Sequence, residues 1–150
     1  MPNRDVHSIA GALGGAGYAL YMAQVQPGCH MFVEMAGGVL GGIAGGRLPD
    51  YIDAPICPRH RAEAHSVAIT GVAGRLVSDH LCDWQNALRR QADHYAFMRG
   101  NSSLPLEQFF LWIAENACRV LVGAIAGLLA GYVSHLILDA FTPMSLPFIC

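Results

Sequence analysis

The chain has 150 residues, the length of one ordinary domain; 53% of them are apolar and only 13% are charged. Its formal net charge is −2 and it contains no lysine and no basic run, which argues against a nucleic-acid-binding surface. The apolar content also argues against a disordered chain. The composition therefore predicts one domain, residues 1–150, of closely packed apolar helices in a membrane.

Four helical stretches follow from the hydrophobic pattern and from the proline, glycine and serine breaks between them. Their predicted bounds are roughly residues 8–26, 29–48, 65–100 and 105–141. Pro49 is expected to end the second helix, because the residue before a proline is disfavoured in helical geometry. The predicted fold is an all-α, up-down bundle of about four long helices.

Two features favour a membrane-embedded bundle. Residues 120–138 carry no formal charge, and as a helix they would cover ~28 Å, close to the thickness of a bilayer core. Glycines also recur every four positions, in the rows Gly37/Gly41/Gly45, Gly38/Gly42/Gly46 and Gly123/Gly127/Gly131. Such rows let helix backbones approach closely in lipid. We therefore expect a multi-pass membrane protein with lipid as its partner, and a homo-oligomer formed through the glycine faces is a further expectation.

Histidine and aspartate side chains gather near the predicted helix ends. They are His7 before the first helix, Asp50 and Asp53 after the second, His60 and His65 before the third, and His135 and Asp139 at the end of the fourth. In an up-down bundle these four positions lie at the same end of the molecule. Imidazoles and carboxylates are ligands for zinc, manganese or iron. The pattern predicts a metal centre with enough ligands for more than one ion.

Each of these residues also has an ordinary structural interpretation. A single histidine on an apolar helix is usually a hydrogen-bonded core residue, and a single aspartate after a helix is usually a cap or turn residue. A buried carboxylate without a partner would cost several kcal/mol, however, and a divalent cation is a common partner. The five cysteines are scattered, form no C-x-x-C pair and predict neither a disulfide framework nor a zinc knuckle.

Three sequence blocks carry a family resemblance: residues 48–53 (LPDYID), 60–66 (HRAEAHS) and 131–143 (GYVSHLILDAFTP). In order, and with His7 near the N-terminus, they resemble the YdjM-like family of bacterial inner-membrane, metal-dependent hydrolases, some of whose members are regulated by LexA. The chain departs from the family pattern at Ala62 and Ala64, where the family has glycine and threonine. It also lacks the usual glycine in residues 144–147.

The resemblance implies an all-α bundle distantly akin to the zinc-dependent phospholipase C and nuclease bundles. It also implies hydrolysis of a phosphoester or phospholipid at the bacterial inner membrane. The metals would lower the pKa of a bound water towards ~7 and hold the substrate oxygen. Arg61 and Asp53 are the candidate catalytic residues, with Arg61 facing the phosphoryl charge. For Arg61, a salt bridge to Glu63 or to Asp53 is the competing interpretation.

Two other functional classes stay open at this stage. One is a non-catalytic membrane protein in which the metal cluster staples the helices together, because a structural metal site is closed whereas a catalytic site keeps a water position. The other is a soluble homo-oligomeric bundle whose glycine rows form the contacts between subunits.

Overall fold

A computed structural model describes residues 4–52 and 67–141 of the chain. These residues form four helices and contain no strand: α1 (Arg4–Met22), α2 (Gly28–Ile52), α3 (Val67–Asn101) and α4 (Pro105–Ala140). The predicted all-α bundle of four long helices is confirmed.

The centre of the bundle is a trio of helices, with α2 in contact with both α1 and α4 and with α1 also touching α4. Along the α2–α4 interface, Gly37 lies against Val120 and Gly45 lies against Leu128, so these two helices run in the same direction. The first and third helices run the opposite way, and α3 packs against α4. The order is up-down-up-down, as predicted.

Glycine rows hold the trio together. A methyl group at Gly41 would overlap the carbonyl oxygen of Ala124, and one at Gly127 would overlap the carbonyl oxygen of Gly38. On the other side of α2, a methyl group at Gly42 would overlap the carbonyl oxygen of Gly11. Backbone approach this close requires glycine, as in small-residue helix contacts in membranes. All three predicted rows are used for contacts within the chain.

The helix bounds differ from the predicted ones in two places. The first helix runs from Arg4 to Met22 rather than over residues 8–26, so that His7 lies inside it and not before it. Asp5 suits the first turn because the positive end of the helix dipole attracts acids. The helix ends at Met22, four residues earlier than predicted.

Pro49 does not end the second helix, contrary to the prediction. The helix continues to Ile52, and Pro49 is buried within it. A proline removes one backbone donor and crowds the carbonyl four residues earlier, which here belongs to Gly45. The extra turn carries Asp50 on the helix rather than in a loop.

Buried charges are paired at the end of the bundle where α1 ends and α2 begins. The guanidinium of Arg89 on α3 donates to both carboxylate oxygens of Glu34 on α2, at 3.1 and 2.7 Å, and to the carbonyl oxygen of Met22 at 3.1 Å. Arg119 on α4 donates to Asp93 on α3 at 2.8 Å. These pairs tie the polar α3 to the glycine-packed trio.

Among the helices that the structure describes, α4 is long and apolar enough to cross a membrane by length and composition. Its mean hydropathy reaches 2.0, and only a third of that stretch is buried inside the bundle. The predicted membrane segment therefore exists as a helix whose outer face is exposed and apolar.

Candidate metal centre

The centre of the site is His135, on the inner face of α4, whose side chain is fully buried. Its Nδ1 lies 2.7 Å from the carbonyl oxygen of Gly46 on α2. A carbonyl oxygen only accepts hydrogen bonds, so Nδ1 carries the proton and donates it. In the neutral form of the ring, which is the form that binds a metal, the lone pair is then on Nε2, on the other side of the ring. Metal-binding histidines are commonly fixed in this way.

Two carboxylate oxygens lie near Nε2 of His135. Asp139, one turn along α4, places Oδ2 3.5 Å from Nε2 of His135, and Asp50 on α2 places Oδ1 3.7 Å from the same atom. On α1, Nε2 of His7 lies 3.5 Å from Oδ1 of Asp139. The two imidazole rings stack with their centroids 3.9 Å apart. Three of the predicted ligands, His7, His135 and Asp139, therefore form one compact group, and a fourth, Asp50, lies beside it.

These spacings are compatible with a metal ion held between the side chains. The ligand atoms of His7, His135 and Asp139 all lie within 4.8 Å of one another, and the three residues are buried. A tetrahedral zinc with ligands at ~2.0–2.1 Å holds its ligand atoms roughly 3.3 Å apart. A direct N–H···O bond is shorter, about 2.9 Å. The site thus offers two imidazole nitrogens and a carboxylate in a compact, water-poor environment.

The local sequence explains why three helices can bring these side chains together. His135 and Asp139 are four residues apart and share one face of α4. Gly46 leaves α1 room to approach, since a methyl group at this position would come within 2.6 Å of the carbonyl oxygen of His7. The same glycine supplies the carbonyl that fixes His135. Close glycine packing is therefore a precondition of the site.

A cavity of about 240 Å³ opens beside the cluster. It is lined by Asp5 from α1 and by Arg47, Asp50 and Tyr51 from the last turns of α2. The side chain of Asp50 is one third exposed, whereas those of His135 and Asp139 are closed off from solvent. Asp50 thus lies between the buried ligand side chains and the cavity.

The remaining predicted site residues lie outside the described part of the chain. The structure brings His7, Asp50, His135 and Asp139 together, as their helix ends predict. The other predicted ligands and catalytic residues are Asp53, His60, Arg61 and His65, which fall in residues 53–66. Their roles stay predictions.

Two residues beside the site were missed as functional candidates. Arg47 precedes Asp50 by three residues, so a helix through Pro49 places both on one face. Ser8 follows His7 directly and accepts a hydrogen bond from Nε of Arg47 at 2.8 Å. The spacing of Arg47 could have revealed it once the helix was extended past Pro49. The Gly46 carbonyl leaves no trace in the sequence because every residue has one.

Comparisons of the chain with protein-family models, curated proteins and solved structures found no match. The family resemblance given above is carried by the three sequence blocks, and the site's chemistry is argued from its geometry.

Proposed function

We propose that the protein is a metal-dependent hydrolase that cleaves a phosphoester, with a lipid phosphoester as the substrate suggested by a membrane location. The single observation that carries this proposal is the meeting of His7, His135 and Asp139 in one buried cluster with ligand-like spacing. Zinc suits this donor set, and manganese or iron would also accept it.

The residues of the cluster have distinct tasks. The Gly46 carbonyl accepts a hydrogen bond from Nδ1 of His135, which leaves Nε2 of that ring facing the acids. Asp139 places Oδ1 near His7 and Oδ2 near His135. If a metal binds here, His7, His135 and Asp139 would hold it, and the binding of more than one ion stays a prediction. When bound, a metal supplies a water of lowered pKa and a Lewis acid for the substrate oxygen. Asp50 presents a carboxylate to the cavity side of the cluster.

The cavity at Asp50 favours catalysis over a purely structural cluster. A structural site has all its positions closed by protein ligands, whereas a catalytic site keeps one accessible to water or substrate. Here, one side of the cluster reaches an open cavity through a partly exposed carboxylate. The non-catalytic, helix-stapling cluster is the second candidate function.

We further propose that the chain lies in a bacterial inner membrane and crosses it more than once. The apolar α4 supports this location, and so do exposed apolar side chains on other helices, such as Ile9 and Leu13 on α1 and Leu40 on α2. In water such a surface would be costly, whereas lipid accepts it. A homo-oligomer stays a prediction. The glycine rows proposed for its subunit contacts pack against other helices of the same chain.

Membrane integration predicts that the protein resists extraction by salt and by alkaline carbonate. After expression with a C-terminal tag, we expect it in the membrane pellet under both treatments and in the soluble fraction only after detergent. Release by salt alone would contradict integral insertion and favour the soluble bundle.

Hydrolysis predicts turnover of a phosphodiester such as bis(p-nitrophenyl) phosphate, or of a short-chain phospholipid, by purified zinc- or manganese-loaded protein. Asp139→Ala should lower kcat/KM by about 100-fold or more, since loss of one preorganised electrostatic group commonly has that effect. Asp83→Ala, which removes an exposed acid on α3, is the matched control and should leave turnover unchanged. A wild-type protein that binds metal stoichiometrically but hydrolyses neither substrate would contradict this function and favour the stapling cluster.

A further inference from the structure

Arg47 lines the cavity beside the metal cluster, and its side chain is held by a buried hydroxyl. Its Nε donates a hydrogen bond to Oγ of Ser8 at 2.8 Å, and Ser8 is buried next to His7. Four other arginines in the described part of the chain are instead paired with carboxylates: Arg75, Arg89, Arg99 and Arg119. Arg47 therefore differs from them in the chemistry of its partner.

A hydroxyl orients a guanidinium without neutralising it. With Nε donating to Ser8, the exposed Arg47 side chain is anchored at the cavity wall, and no described residue pairs with its terminal N–H groups. The planar fork of a guanidinium matches two oxygens of a phosphoryl group, which an ammonium cannot do. Among the described residues, Arg47 is thus the positioned cation on the side of the cluster that solvent can reach.

We propose that Arg47, oriented by Ser8, is the residue that holds the non-bridging oxygens of an anionic phosphoryl group during its stay at the metal centre. This inference rests on the proposed hydrolase function and names its substrate-binding cation. The same cavity contains the carboxylates of Asp5 and Asp50, which repel a free anion. Anion binding must therefore depend on the positive charge of a bound metal as well as on Arg47.

The test is equilibrium binding of inorganic phosphate to the detergent-purified protein, with and without zinc, measured by calorimetry. Phosphate should bind the zinc-loaded wild type, and removal of zinc should abolish binding. Arg47→Gln should weaken it by about 10- to 100-fold, the usual range for loss of a hydrogen bond to a charged group. Arg47→Lys should recover part of the affinity, because it restores the charge but not the fork.

Two further variants separate positioning from charge. Ser8→Ala keeps the guanidinium but removes its anchor, so phosphate should bind about 5-fold more weakly, a smaller loss than removal of the guanidinium itself. Arg75→Gln removes an exposed arginine on α3 and should leave phosphate affinity unchanged. Zinc content and the circular dichroism spectrum should be the same in all variants, because Arg47 and Ser8 are not metal ligands.

The outcomes distinguish this inference from the function on which it rests. Equal phosphate affinity in Arg47→Gln and wild type, or no phosphate binding to the zinc-loaded wild type, overturns the role of Arg47. Turnover of a phosphodiester that survives Arg47→Gln with unchanged KM also overturns it while leaving the hydrolase intact. Phosphate binding that needs Arg47, in a protein that hydrolyses no phosphoester, supports the anion site and refutes the hydrolase.

Discussion

Replacing His135 or Asp139 with alanine should lower the affinity of the protein for zinc by about 100-fold or more. Loss of a residue that merely orients a metal ligand already costs 10- to 100-fold, and these two residues are proposed ligands themselves. The measurement is the zinc content of purified protein after dialysis against buffered zinc, with the dissociation constant from competition with a chelator. Zinc should also raise the melting temperature of the wild type, because a ligand that binds only the folded state stabilises it by about 2.7 kcal/mol at a hundredfold excess over Kd.

Exposed residues on α3 supply the controls for this prediction. His94→Ala and Asp83→Ala remove the same side-chain types far from the cluster and should leave zinc affinity unchanged. If His135→Ala and Asp139→Ala bind as much zinc as wild type with the same dissociation constant, the cluster is only a set of buried polar side chains. A fold check by circular dichroism separates loss of ligand from loss of structure.

Substituting Gly127 or Gly41 with valine should destabilise the bundle by about 3 kcal/mol. At both positions even the first carbon of a side chain would overlap a backbone carbonyl of the facing helix, and a backbone cannot rotate aside as a side chain can. Overpacking of this kind typically costs 1–3 kcal/mol, and the clash is with the least yielding atoms. The measurement is reversible unfolding in mixed detergent micelles, followed by circular dichroism.

Gly17 on α1 provides a matched control within the same trio of helices. It is exposed, and a methyl group there would meet no atom within 4 Å. Gly17→Val should therefore change stability by less than about 1 kcal/mol, because a side chain there meets no atom and valine is no worse a helix former than glycine. Equal stability of the Gly127 and Gly17 variants would contradict the close approach of α2 and α4.

Much of the fold could be predicted because the signals were local. Apolar runs and the breaks around residues 27 and 100–105 indicate four helices. Because neighbouring helices alternate in direction, the histidines and aspartates at their ends come together at one end of the bundle. The bounds near Pro49 were wrong because the rule applied treats proline as a terminator. It overlooked that one lost donor is tolerable in the last turns of a helix packed on both sides.

The site was predictable in its composition but not in its detail. His7, Asp50, His135 and Asp139 could be grouped from their helix ends alone. The sequence does not show which nitrogen of His135 faces the acids, because that depends on a carbonyl group from another helix. The partner of Arg47 was equally hidden, since Ser8 lies 39 residues away in the chain and is brought near by glycine packing.

The central claim is that histidine and aspartate side chains from α1 and α4 bind one metal centre, and zinc-edge X-ray absorption tests it most directly. We predict nitrogen and oxygen neighbours at ~2.0–2.1 Å with the scattering pattern of imidazole, and a weaker imidazole signal in both His7→Ala and His135→Ala. The chain also has cysteines, which would give zinc–sulfur distances of about 2.3 Å. A sulfur-dominated spectrum, or an imidazole signal of undiminished strength in both His7→Ala and His135→Ala, would contradict the account.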